Sequence, residues 1–176
     1  MSSQVQENLV SSNEKYASNF KHGDLPLPPA KKYLVVTCMD ARIDPAAAFG
    51  ISLGDAHVIR NMMFTQAGAS ASDALRSIII SQQLLGTNSV LLIKHTGCGM
   101  LTFENRDIYQ VINRNLGQGA TGELEAQSFD FQPFPDLEGA VREDVEFLRK
   151  SQLVAKGVEV SGWVYEVESG RVRKVI

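Results

Sequence analysis

Three short apolar runs, spaced by helix signals, constrain this chain more than any other feature. The first, "YLVVTC" (33–38), and the third, "SVLLIKH" (89–95), do not alternate with polar residues, while "AHVIR" (56–60) lies between them. Runs without alternation read as strands buried on both faces, which belong to parallel sheets covered by helices. After the first run Asp44 is a good N-cap, Pro45 suits the first helical position, and Gly50 can close the short helix "PAAAF". Before the third run, Ser70 with Asp73 resembles a capping box, opening a helix through Leu75, Ile78 and Leu85 that ends at Gly86. Strand–helix–strand connections of this kind are right-handed and build a parallel sheet. The expected fold class is α/β, with a central, mainly parallel sheet flanked by helices.

The rest of the chain is expected to dress that sheet as a single domain over residues 1–176, with 1–32 as an N-terminal helix and linker arm. Val5, Leu9, Tyr16 and Phe20 fall in one stripe at helical spacing, so this amphipathic helix must dock on its own body or on a second subunit. "HGDLPLPPAKK" then breaks helicity with three prolines. Residues 117–135 have no clean period, and stand as either a functional loop or an element the pattern hides. A helix is expected after Asp136, with Val141, Val145 and Leu148 on one face. The closing "VEVSGWVYEVESGRVRKVI" reads as two strands joined at Ser169-Gly170.

A net charge of -3 gives no electrostatic reason to expect nucleic acid or an anionic membrane as partner. No apolar run approaches the roughly 20 residues that span a bilayer. The first twenty residues are too polar for a secretory signal. Two cysteines do not make a disulfide framework, so reduced thiols and a cytoplasmic location are the expectation.

Those cysteines stand where chemistry gathers. Cys38 ends the first strand, while His95 and Cys98 lie where the third ends. Ligands of open parallel sheets collect outside the carboxyl ends of the strands. Two thiols and an imidazole there form a zinc set, and three protein ligands leave the open fourth position of a catalytic site. Gly97 and Gly99 would let the backbone turn tightly around Cys98. Cys38 as a small core residue, or a redox pair, are the alternatives, although no Cys-x-x-Cys is present. Asp40 and Arg42 follow Cys38 closely: either a surface ion pair, or a dyad in which Arg42 fixes Asp40 to accept a hydrogen bond from zinc-bound water.

"CMDAR" followed by "HTGCGM" resembles the β-class carbonic anhydrases, whose pattern is Cys-x-Asp-x-Arg and then His-x-x-Cys. The short N-terminal helix, compact length and "GDAHVIRN" look most like the small fungal and microbial branch, which also contains carbonyl sulfide hydrolases. The resemblance implies Zn2+ on Cys38, His95 and Cys98, a catalytic dyad of Asp40 and Arg42, and a homodimer or higher homo-oligomer with the N-terminal helix reaching across. It implies hydration of carbon dioxide to bicarbonate by a zinc-bound hydroxide. The alternatives are hydrolysis of carbonyl sulfide or carbon disulfide, releasing hydrogen sulfide, and a catalytically silent zinc-binding relative.

One departure stands out. Where such proteins continue Arg-Asn with Ala-Gly, this chain reads Met62-Met63-Phe64. Met62 and Met63, with Gly97, are therefore the expected substrate-pocket residues, and their bulk should narrow or reshape the pocket or move the subunit contact. Two thiolates cancel the charge of zinc, so a bound-water pKa above that of an all-histidine site is expected. Of the remaining histidines, His22 is expected in solvent and His57 as a structural hydrogen-bonder, with Arg60 in a salt bridge at a subunit contact.

Overall fold

The computed structural model describes residues 3–61 and 73–176. Five strands form one sheet in the order β2-β1-β3-β4-β5, where β1 is Tyr33–Thr37, β2 Ala56–Ile59, β3 Ser89–His95, β4 Glu159–Glu166 and β5 Arg171–Lys174. All neighbours run parallel except β4 and β5, which form the expected antiparallel pair across the Ser169-Gly170 turn. From β1 the chain passes to β2 on one side, then returns to place β3 on the other. The order therefore reverses between β1 and β3, and a crevice opens at their carboxyl ends.

Helices clothe the sheet because its two faces are both apolar. On one face Leu34, Val36, Val90, Leu92 and Val160 pack against Leu75 and Ile78 of α3 (Asp73–Gln83) and Val145 and Leu148 of α6 (Leu137–Lys150). Val141, Val145 and Leu148 of α6 are all fully buried, as their spacing requires. Gly162 of β4 lets α6 approach: a Cβ there would lie 2.5 Å from Val141 Cγ1. On the other face Val35, Ile43, Ile93 and Tyr165 gather beneath α2 (Pro45–Phe49). Asp44 caps α2 as expected, accepting from the N–H groups of Ala46 and Ala47, and Gly50 closes it at φ +63°.

Helix α1 (Gln4–Ala17) stops short of Phe20 because Ser18 caps it, and it has no buried residue. Ser70, the expected opening of α3, lies outside the described residues, and that helix ends at Gln83, before Leu85. Residues 117–135 do hide an element. Helix α4 (Asn105–Leu116) is followed at once by α5 (Gln118–Ala126), and the two lie side by side. Gly119 and Gly122 lower the propensity of α5 by about 1 kcal/mol each relative to alanine, which is why no period announces it. No described helix is long and apolar enough to cross a membrane.

Candidate metal centre

The chain leaves the sheet at Cys38, one residue beyond β1, and His95 is the last residue of the neighbouring β3. Beyond His95 the backbone turns at Gly97 with φ +59°, which only glycine adopts without strain, and Cys98 then caps a 3-10 turn over Gly99–Leu101. Gly99 needs no such conformation. The Sγ atoms of Cys38 and Cys98 and a ring nitrogen of His95 come within 4.8 Å of one another. Both cysteines are free thiols.

The geometry fits zinc. Bond lengths of ~2.3 Å to sulfur and ~2.0 Å to nitrogen set tetrahedral ligand atoms roughly 3.5 Å apart, inside that spacing. His95 Nδ1 lies 2.9 Å from the Thr96 carbonyl, which can only accept, so Nδ1 carries the proton and donates. That leaves Nε2 with its lone pair free, buried and without a hydrogen-bond partner. Such an orphan among two sulfurs is a metal-ligating arrangement. The closeness of the two sulfurs lowers the Cys38 thiol from its ordinary value, while that contact and burial push Cys98 up, so Cys38 is the more readily ionised of the pair.

Asp40 and Arg42 meet beside this cluster. Arg42 Nε and Nη2 donate to Asp40 Oδ1 and Oδ2 at 2.9 and 2.7 Å, and the Arg42 backbone N–H donates to Oδ1 as well. These hydrogen bonds hold the Asp40 carboxyl well below the usual range, so it is an acceptor only. Its Oδ2 stands 3.8 Å from His95 Nε2. Arg42 Nη2 also donates to the Gly97 carbonyl, at 2.9 Å, tying the dyad to the turn that carries Cys98.

A cavity of about 100 Å³ opens on the cluster, walled by Met39, Arg60, Met100 and Phe134 besides Cys38, His95 and Cys98. A larger groove, about 780 Å³, runs between α4 and α5 and includes none of these residues. Gly97 is on the dyad side, not among the described walls of the cavity. Met62 and Met63, with Phe64, lie outside the described residues.

Arg60, expected in a salt bridge at a subunit contact, turns its guanidinium to the backbone of its own chain. Its Nε donates to the Cys38 carbonyl at 3.1 Å and Nη2 to the Asp40 carbonyl at 2.6 Å, clamping the loop from both sides of Met39. His57 is the expected hydrogen-bonder, 2.7 Å from Ser81 Oγ, and His22 is exposed. Sequence reasoning missed Phe134 and Met100 as cavity walls. It also missed Thr96, whose hydroxyl donates to Glu168 and accepts from the Val167 N–H, fastening the end of β3 to the end of β4.

Comparison with known proteins agrees with this architecture. The carbonic anhydrase family model matches residues 33–172. Beta-carbonic anhydrase 1 of Mycobacterium tuberculosis is 38% identical over 172 residues, covering 97% of this chain and 98% of that protein. A carbon disulfide hydrolase of Acidithiobacillus thiooxidans is 31% identical over 161 residues, 84% of this chain and 78% of that protein. The structure of a carbonic anhydrase from Glaciozyma antarctica superposes with a TM-score of 0.86 at 41% identity, covering 99% of this chain and all of that one.

Proposed function

The chain belongs to the β-carbonic anhydrase family, and on that premise we propose that it hydrates carbon dioxide to bicarbonate at a zinc ion held by Cys38, His95 and Cys98. The convergence of those three ligand atoms around the unpartnered His95 Nε2 carries this reading. When bound, zinc lowers the pKa of water from 15.7 toward about 7 and so supplies a nucleophile at neutral pH.

The chain's own residues then do the positioning. The Thr96 carbonyl fixes the His95 tautomer that ligates. Asp40, kept ionised by Arg42, is a hydrogen-bond acceptor beside the ligand cluster and would orient a water there. Arg42, held in turn by the Gly97 carbonyl, keeps Asp40 from drifting. Met39, Met100 and Phe134 offer a small, largely apolar space that suits a neutral linear molecule better than an ion.

The carbon disulfide hydrolase relative favours a second reading, in which the same nucleophile attacks carbon disulfide or carbonyl sulfide and hydrogen sulfide is released. A paired assay on zinc-loaded protein separates the two. Stopped-flow proton release from carbon dioxide is set against hydrogen sulfide release from the sulfur substrates, with Cys98→Ala as control. Hydration that is fast in the wild type and lost in the variant is the expected result. Sulfide release with little hydration would replace the first reading with the second. Neither activity, with zinc bound, would sink both and leave a silent zinc protein.

The working form is, in this reading, a cytoplasmic homo-oligomer. Two free thiols in a ligand set suit a compartment that keeps thiols reduced. Helix α1 has 14 residues and none buried, while Val5 and Leu9 are 76% and 69% exposed. A lone helix of that length is marginal in water, so a second copy is its natural support. Sedimentation of the full chain against a variant lacking residues 1–18 tests this: a dimer or larger species that dissociates on truncation is expected, and a monomeric full chain would refute it.

A further inference from the structure

The most deeply buried ion pair among the described residues stands beside the site, and the mechanism above makes no use of it. Lys94 precedes His95 on β3, and its ammonium lies 2.8 Å from Asp144 Oδ2 of α6, with the two side chains 4% and 0% exposed. Desolvating two charges is so costly that apolar replacements are often as stable, so stability alone does not account for the pair. The Lys94 Nζ also stands 4.6 Å from the centre of the Phe134 ring, within the range of a cation–π contact. At its other end Phe134 is tied by its backbone N–H to the Met100 carbonyl, at 3.1 Å, two residues beyond Cys98. Lys94, Phe134 and Met100 all border the 100 Å³ cavity that Cys38, His95 and Cys98 open into.

We propose that Phe134, pinned by the Lys94 ammonium, is the specificity-determining wall of the cavity, sized for a triatomic oxygen substrate and against its bulkier sulfur analogues. The inference rests on the carbon dioxide reading above. Asp144 holds Lys94, Lys94 stands over the ring face, and the Met100 carbonyl holds the backbone, so three contacts favour this one position of the wall. With this ring forming one wall of the cavity, replacing oxygen by sulfur matters: a methylene of misfit in an apolar pocket shifts selectivity about 10–200-fold. Lys94 is thus a positioning residue that acts through Phe134.

The test uses the zinc-loaded full chain. kcat and KM are measured for carbon dioxide and carbon disulfide in the wild type, Phe134→Leu, Phe134→Ala and the charge-free double variant Lys94→Met/Asp144→Leu. Zinc stoichiometry confirms loading, and calorimetry follows thiocyanate, a linear sulfur-containing probe. Phe134→Ala is expected to raise the ratio of kcat/KM for carbon disulfide over carbon dioxide about tenfold or more, and to bind thiocyanate more tightly. Phe134→Leu and the double variant should move the ratio the same way by less. A merely structural role would lower both substrates together and leave the ratio alone. A Phe134→Ala ratio within twofold of wild type, or unchanged thiocyanate affinity, overturns the inference while the hydration reading stands. A wild type that hydrates no carbon dioxide overturns that reading and this one with it. Should the double variant not fold, the two Phe134 variants decide.

Discussion

Arg42 grips Asp40 with two parallel hydrogen bonds, 2.9 Å from Nε to Oδ1 and 2.7 Å from Nη2 to Oδ2, although the arginine side chain is half exposed. A forked contact of this kind fixes direction as well as charge. The direction matters here because the same Nη2 also reaches the Gly97 carbonyl. Lysine carries the same charge but only as a point, without the fork. Arg42→Lys is therefore expected to lower kcat/KM for carbon dioxide about 10–100-fold, the usual cost of losing a partner that orients a metal site. Zinc stoichiometry should not change, since Arg42 is not a ligand. Undiminished activity in this variant would show that orientation of Asp40 is not limiting.

The buried Lys94–Asp144 pair makes a separate claim on stability. Removing one partner strands a charge in the interior, so Asp144→Ala is expected to destabilise the chain by about 3–5 kcal/mol in urea unfolding. The double variant Lys94→Met/Asp144→Leu should recover most of that loss, because it leaves no charge to strand. Equal destabilisation in single and double variants would mean that packing, not charge, dominates at this position.

Much of this was legible before any coordinates. Cys38 and His95 end the first and third apolar runs, and ligands of a parallel sheet gather at such strand ends, so a metal-binding cluster there could be expected from spacing alone. Asp44, Pro45 and Gly50 announced α2 because caps are local chemistry. What stayed hidden depends on partners distant in sequence. Phe134 lies in a stretch with no period, and its place is set by Lys94 and Met100 across the fold. Lys94 reads as one more position of a strand until Asp144 is seen facing it. Arg60 reads as a salt-bridge residue at a subunit contact because nothing local shows that its targets are backbone carbonyls. Helix α5 was masked by its own glycines.

Gly162 shows how closely α6 lies on the sheet. A Cβ at this position would stand 2.5 Å from Val141 Cγ1, 2.9 Å from Val145 Cγ2 and 3.0 Å from Ile176 Cγ2. Valine and isoleucine methyls are short and β-branched, with little freedom to swing aside. Gly162→Ala is expected to cost about 1–3 kcal/mol through overpacking. Gly119→Ala, with nothing within 4 Å of its new Cβ, should instead be neutral or stabilising. Chemical denaturation of both variants checks the contrast, and a stabilised Gly162→Ala would contradict it.

Asp55 anchors the linker to the start of β2, and its effect depends on pH. Lys31 Nζ lies 2.8 Å from its Oδ2, and the Ser52 N–H donates to the same oxygen at 2.9 Å. Lys31 first, then the Ser52 amide, lowers its pKa in the folded chain. The unfolded value is about 3.9. A depressed folded pKa means that the folded state holds the proton less tightly, so the carboxylate favours folding above pH ~3.9. That contribution is lost as pH falls through the folded pKa. Because Lys31 is well exposed, water and salt screen the pair, and the effect should be small and weaker in high salt. The readout is the difference in urea midpoint between the wild type and Asp55→Asn, which cancels the acid sensitivity that both share elsewhere. It should be constant between about pH 5 and 6 and shrink below about 3.9. A difference that widens on acidification would mean that Asp55 does not stabilise the fold as a carboxylate.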